Sequence, residues 1–447
     1  MYIAIDAGSS FLKFALLEVS GSGVSIIEKE RQAVVRAATE FGYKYEYDAA
    51  AIANGARGYI DRAAARYPIE GILITTQMHG AVLKDLTDGR SSAYISWQDE
   101  RCLVSRDGES ALDCLRRTVP ADVIAKSGMR LKCEMALCNL WAKAREEGLD
   151  LSRGYEVYTL GSYIINALCG ENVTHITNAV PTGFFDLPSG GTPNRELLAA
   201  VGMEGLGLPR VSRSFAPCGS YRTPQGKEIP VYPDVGDQQV SILGGGIDRD
   251  SLNVNVGTAT QMSAVSDKWD DGFYESIYEM RPYFDGKYLR TVTKLPGGRS
   301  LQVIAGLFAD AVRTFAGRDA DIREIWDRIM EIAGGETTLD VRTGFFRGLI
   351  FNEGAIKNID STNFSCRDIV SGAFYDLARV FDGMIPVVDP THTAKKIVIC
   401  GKFGEAIKAH MTGLSNACGY DIVTSASQDD SFMGLGKLVA SATKSEN

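Results

Sequence analysis

None of the nine cysteines forms a C-x-x-C pair. That absence removes a zinc-knuckle or redox-dithiol reading, and an odd, scattered set gives no disulfide framework. Reduced thiols and a cytoplasmic location are the expectation. Long apolar runs are missing too: no stretch approaches the about 18 residues that a bilayer span needs. The opening MYIAIDAGSS reads as a strand, without the basic n-region and apolar core of a signal peptide. Positive charge is in deficit, 47 Lys and Arg against 56 Asp and Glu, for a net −9. Such a balance disfavours nucleic acid as the main partner. Two nucleotide fingerprints are also absent, G-x-x-x-x-G-K-[ST] and G-x-G-x-x-G, so P-loop and Rossmann mechanisms are disfavoured. Histidine is scarce, four in all.

What is present is the composition of an ordinary soluble enzyme, 45% hydrophobic and 23% charged. A chain of 447 residues exceeds one average domain and predicts two, divided as 1–245 and 246–447. Residues 2–6 and 12–19 read as strands around the turn AGSS, with 24–28 as a third. Ile52, Ala56, Tyr59, Ile60 and Ala63 recur at helical spacing within 49–67. A short apolar strand, 71–75, delivers TQMHG into a loop. Helices are expected over 133–147, 158–169, 301–316, 319–333 and 367–385, the first two ending at Gly148 and Gly170. Proline and glycine crowd 181–233, a loop-rich connection with short elements. Beyond it the plan repeats: a strand over 252–256, a Gly-Thr turn and a strand over 261–265. Later come the strand 396–400, the loop GKFG and a helix from about 405. Gly8 and Gly257 are thereby expected at equivalent points of two similar halves.

The chemistry-bearing residues fall in these turns. In DAGSSFLK, backbone N–H groups around Gly8 and the hydroxyls of Ser9 and Ser10 suit phosphate oxygens. Asp6 suits Mg²⁺ held through water, and Lys13 suits phosphate charge. A plain hairpin turn is the alternative. TQMHG offers Met78 and His79 to a sugar's apolar face and hydroxyls, against a histidine satisfied within the core. ISWQDERC sets Trp97 as an aromatic platform, with Asp99 and Arg101 as an ion pair shaping the loop. Asp237 stands on a Gly-Asp corner in PDVGDQQ. A carboxylate there suits a general base beside a sugar alcohol, and Asp is also a favoured helix N-cap. NVGTATQ could wrap phosphates through Gly257 and Thr258. LPGGRSLQ and CGKFGEA could place helix N-termini near adenosine or phosphate, or be ordinary helix entries.

The order of these elements resembles the FGGY family of carbohydrate kinases over nearly the whole chain. DAGSS is similar to the family's first phosphate motif, TQMHG to its substrate loop and WQDERC to its Trp-containing sugar loop. VGDQQ is similar to the catalytic Asp motif, NVGTAT to the second phosphate motif and CGKFGEA to the adenosine motif. SWQDERC, VGDQQVS and SGMRLKCEMALCNLWAK resemble sedoheptulokinases most, then xylulose kinases. The resemblance implies an α/β, two-domain, actin-like (ribonuclease H-like) ATPase fold with a central cleft. It implies ATP and Mg²⁺, and transfer of the γ-phosphate to a primary hydroxyl of a sedoheptulose- or xylulose-like ketose. Asp237 would be the general base. Met78, His79, Trp97, Asp237 and Gln238 would bind the sugar. Gly8, Ser9, Ser10, Lys13, Gly257, Thr258, Gly298, Gln302, Gly401 and Lys402 would bind ATP, and Asp6 with Asp237 would hold Mg²⁺ through water. A homodimer is compatible with it. Ribulose, glycerol, a carboxylate acceptor and a non-catalytic nucleotide-gated sensor of the same fold stay open. Three departures stand out. Lys402 and Phe403 replace glycines and a small residue, which leaves nucleotide preference open. DAGSS has serines where threonines are usual. The short chain sets the expectation of a trimmed C-terminal part.

Overall fold

The computed structural model describes residues 1–21, 23–106, 108–257, 260–346, 353–425 and 429–445. Tyr2–Ala7 and Phe11–Ser20, rich in β-branched and aromatic residues, form an antiparallel hairpin. Tyr2–Ala7 is buried along its whole length and runs parallel to Gly71–Thr76, as central strands of α/β sheets do. This sheet has seven strands. Its order is Gly219–Arg222, Glu228–Val231, Gly71–Thr76, Tyr2–Ala7, Phe11–Ser20 and Gly23–Ala33, with Val235–Gly236 also paired to Gly71–Thr76. Helices Ala49–Arg66 and Leu160–Cys169 bury their apolar stripes on one face, against Ile3, Ile5, Ile72 and Ile74. Their starts are set by Asp48 and Thr159, whose side chains accept the amides of Ala51 and Ser162. That cap places the second helix two residues later than the periodicity alone suggests.

The second sheet has six strands, in the order Glu279–Pro282, Tyr288–Leu295, Thr260–Ser266, Ser251–Val256, Lys396–Cys400 and Asp421–Ser425. Ser251–Val256 is antiparallel to Thr260–Ser266 and parallel to Lys396–Cys400. The first sheet joins its opening hairpin to Gly71–Thr76 in the same way, so the turns after Ala7 and Val256 are equivalent in the two halves. The expected phosphate contact Thr258 lies outside the described residues. Cys366–Val388, nucleated by a Ser365–Asp368 capping box, packs its apolar side into the core of this half. The helix expected over 319–333 is Ile322–Ile332, because Asp321 caps it by accepting the amide of Arg323. The helix expected from 133 begins at Ala136, which leaves Lys132 and Glu134 in the segment before it.

The last helix, Asp430–Ser445, returns to the first half. It packs against the helix Asp237–Gly244 and against the strands Phe11–Ser20 and Gly23–Ala33. Glycine makes that crossing possible. A Cβ on Gly244 would sit 1.7 Å from the Asp430 carbonyl oxygen, and one on Gly434 would sit 2.0 Å from that of Val240. No side chain fits where the backbones come this close.

Candidate active site

A cavity of about 810 Å³ is lined by residues of both sheets. On one wall is the first hairpin turn. Asp6 and Lys13 are direct cross-strand partners in the hairpin register, and Lys13 Nζ meets Asp6 Oδ2 at 3.0 Å. Ser431 Oγ, from the returning helix, donates to the same oxygen at 3.0 Å. Asp6 is only 5% exposed, so its carboxylate is fixed at the edge of the cavity. Gly8, Ser9 and Ser10 continue this wall.

Asp237 opens the helix Asp237–Gly244 with its carboxyl in the same cavity. The N-cap is Gly236, not Asp237, which corrects the capping role expected from the sequence. The reason is steric. A Cβ on Gly236 would lie 2.4 Å from Met78 Sδ, 2.5 Å from Gln239 Oε1 and 3.0 Å from the Thr177 carbonyl oxygen, so a side chain at the cap position would have to displace its neighbours. Asp237 therefore stands one residue inside, where a negative charge meets the positive helix end, and Oδ1 accepts the Gln238 amide at 2.8 Å. Burial, then the charge of Asp6, push the Asp237 carboxyl up from 3.8 to about 7, against the pull of the Gln238 amide, Arg281 and Lys13. Such a carboxyl exchanges a proton near neutral pH, as a general base must. Asp234, three residues earlier, is also held near 7 by burial. It lies off the cavity and braces Thr159 and Asn178, so elevation alone does not mark the base.

The loop after Gly71–Thr76 brings Gln77, Met78 and His79 to the cavity. His79 adopts φ 70°, a left-handed conformation that costs a non-glycine residue energy. Its Nδ1 lies 2.8 Å from the Pro181 carbonyl, so Nδ1 carries the proton and Nε2 is left as an acceptor. Burial lowers its pKa to about 3, helped by Lys132 and Arg281, so the ring is neutral at working pH. Trp97, 37% exposed, lines the mouth. Arg101 and Asp99 form the expected loop-shaping pair, buried, with Nε to Oδ1 at 2.8 Å. Asp99 also accepts the Tyr45 amide.

Lys132, Glu134, Arg281, Asn253 and Ser431 also line the cavity; Lys132 and Glu134 fall within SGMRLKCEMALCNLWAK, but sequence alone assigns none of the five a role. Lys132 meets Glu279 at 2.6 Å and Arg281 meets the same carboxylate at 2.8 Å. Arg281 donates to the Gln238 side-chain oxygen at 2.5 Å, and Gln238 Nε2 reaches Ser263 at 3.2 Å. Lys294 pairs with Glu134 at 2.6 Å.

The residues expected around the nucleotide divide. Gly401 lines the cavity with φ 113°, and a Cβ there would lie 2.6 Å from the Val256 carbonyl oxygen. Gly257, Gly298, Gln302 and Lys402 stand outside that lining. The Gly298 amide donates to the Gly257 carbonyl at 3.0 Å, so these two loops do meet. Lys402 Nζ sits over the rings of Trp326 and Phe403, at 4.6 and 4.7 Å. Phe403 is buried against Trp326 and Phe374, which explains why a large residue is tolerated in this turn.

Two sheets of matching connectivity around one cleft define an actin-like, ribonuclease H-like α/β fold. The fold is shared with xylulose kinase from Rhodospirillum rubrum, at TM-score 0.81 and 18% identity, over 99% of this chain and 89% of that one. Glycerol kinase from Plasmodium falciparum with ADP matches at TM-score 0.76 and 16% identity, over 98% and 89%. An uncharacterized sugar kinase of Archaeoglobus fulgidus is 26% identical over 284 residues, 57% of this chain and 55% of the relative. The chain spans about half the length of the curated relatives it matches. Residues 1–244 match the N-terminal domain of the FGGY family of carbohydrate kinases, and the chain belongs to that family. Among the described residues, no helix is long and apolar enough to cross a membrane.

Proposed function

We propose that this protein is an ATP-dependent carbohydrate kinase. It moves the γ-phosphate of ATP to a primary hydroxyl of a ketose, sedoheptulose- or xylulose-like. The observation that carries this reading is one cavity holding Asp237, the Met78–His79 loop and the Asp6–Lys13 turn. The sugar lies against Met78, His79, Trp97 and Gln238, with its primary hydroxyl at Asp237. Asp237 takes the hydroxyl proton as the oxygen attacks phosphorus. The new O–P bond forms as the bond to the β-phosphate oxygen breaks, and ADP leaves. Gly8, Ser9, Ser10 and Lys13 orient the phosphates, with Gly257 of the second turn beside them, and Gly401 marks the side on which the nucleoside lies, with Gly298, Gln302 and Lys402 in the loops behind it. Positioning and charge supply most of the rate.

Mg²⁺ fits what the residues offer. Among the described residues there is no cluster of three or more His, Cys, Asp or Glu able to hold a metal alone. Mg²⁺ is commonly held by one or two carboxylates plus substrate phosphates and water. Asp6, with Asp237 opposite, is that kind of donor set. When bound, the ion offsets charge on the phosphates.

The test is ADP release coupled to a dye, with ATP, Mg²⁺ and a panel of ketoses, aldonates and polyols. Sugar-dependent ADP release with a product bearing phosphate on a primary carbon supports the reading. Absence of sugar-dependent turnover across the panel would leave a nucleotide-gated sensor as the better account.

A further inference from the structure

Lys132 and Arg281 share one carboxylate and both line the cavity, while Glu279 stands behind them outside its lining. Both cations act on the His79 ring, so they lie near the Met78–His79 loop. Their geometry leaves donors to spare. An ammonium has three N–H groups, and Lys132 is recorded giving one, to Glu279. A guanidinium has five, and Arg281 uses Nε, Nη1 and Nη2 once each among the described residues. Gln77 adds an independent sign. It is 3% exposed, its Oε1 accepts from Ser96 Oγ at 3.1 Å, and among the described residues its Nε2 has no partner. A buried amide donor without a partner is costly in a folded protein, and Gln77 lines this cavity.

We infer that Lys132, Arg281 and Gln77 determine acceptor specificity by donating to the carbonyl oxygen of an open-chain 2-ketose. The inference rests on the kinase reading above and sharpens it. A ketone oxygen accepts hydrogen bonds and cannot donate, so a wall of donors satisfies it fully. The alditol made by reducing that ketone presents a hydroxyl there, whose hydrogen must turn away from Lys132, Arg281 and Gln77 Nε2 to find an acceptor. The charges also fit a neutral group. Lys132, Arg281, Lys294 and Lys13 face Glu279, Glu134, Asp6, Asp237 and Asp430 among the residues that form or back the cavity, so no uncompensated cation calls for a carboxylate.

The experiment measures kcat/KM for three acceptors of equal length: a 2-ketose, its alditol and the matching aldonate. Wild-type protein should prefer the ketose over the alditol by about 10- to 100-fold, the cost of one buried unpaired polar group. Lys132→Met should bring that ratio close to one by raising KM for the ketose, and Lys132→Arg should restore part of it. Gln77→Leu removes a donor without stranding a charge. It should lower the ratio by about 5-fold, so a Lys132 variant that fails to fold does not decide the matter. Equal turnover of ketose and alditol in the wild type, an unchanged ratio in both variants, or a preferred aldonate would each overturn the inference while leaving the kinase reading intact. No turnover of any acceptor would overturn both.

Discussion

Replacing Asp237 by Asn should lower activity and raise stability together, because the burial that would suit the carboxyl to act as a base also strains the fold. In the folded protein its pKa stands near 7, against an ordinary 3.8. A rise of about three units corresponds to about 4 kcal/mol of disfavoured ionised form, as an upper bound. The sign follows from linkage. Between pH 3.8 and 7 the native state binds more protons at this site than the unfolded chain, so its contribution to stability falls as pH rises through that window. Asparagine has no charge to bury and keeps an oxygen for the Gln238 amide. Its unfolding midpoint should exceed that of the wild type by about 2 °C or more at pH 8, and the gap should close toward pH 4. The kcat of the same variant should drop by about 10²- to 10⁴-fold. Thermal unfolding followed by circular dichroism at pH 4, 6 and 8, beside steady-state kinetics, measures both. A variant less stable at pH 8, or a gap independent of pH, would refute the burial argument; near-wild-type turnover would refute the base.

Three further outcomes follow from the same geometry. The wild-type kcat/KM should fall on the acid side with a midpoint near 7, and His79→Asn should keep that midpoint while weakening KM, since His79 stays neutral above about pH 3; loss of the limb in that variant would move the titration to the histidine. Gly236→Ala should cost about 1–3 kcal/mol and lower kcat/KM, because its Cβ would meet Met78 Sδ at 2.4 Å, and an unperturbed variant in urea unfolding would contradict the close approach. Lys13→Met, which removes the 3.0 Å pair with Asp6, should raise the KM for ATP more than the KM for sugar, and the reverse split would place Lys13 at the wrong end.

Much of the site was legible because its residues sit on short-range signals. Asp6, Gly8 and Lys13 belong to one hairpin, and Met78, His79, Asp237 and Gly401 each follow a strand directly. A strand end followed by a turn reads in sequence as apolar residues running into Gly, Ser, His or Asp. The opposite wall gave no such signal. Lys132, Glu279 and Arg281 come from the stretches 102–132 and 266–294, and they meet only through pairing across about 150 residues of chain. A charged residue in such a stretch reads as solvated surface until its partner is placed. The Asp237 cap was misjudged for a related reason. Asp is the better cap by propensity, but Met78 and the Thr177 carbonyl, distant in sequence, crowd a side chain at that position. The glycines at 244–246 read as a domain boundary, and nothing in the sequence signals that Gly244 also makes the close contact bringing the last helix back onto the first half.

The central claim is that Asp237 activates a sugar's primary hydroxyl toward ATP. Phosphorus and carbon NMR of a reaction with ATP, Mg²⁺ and a 2-ketose tests it most directly. The account predicts one phosphate ester on a terminal carbon, formed in step with ADP by the wild type and at a rate about 10²- to 10⁴-fold lower with Asp237→Asn. Inorganic phosphate as the sole product, or equal ester from both proteins, would contradict it.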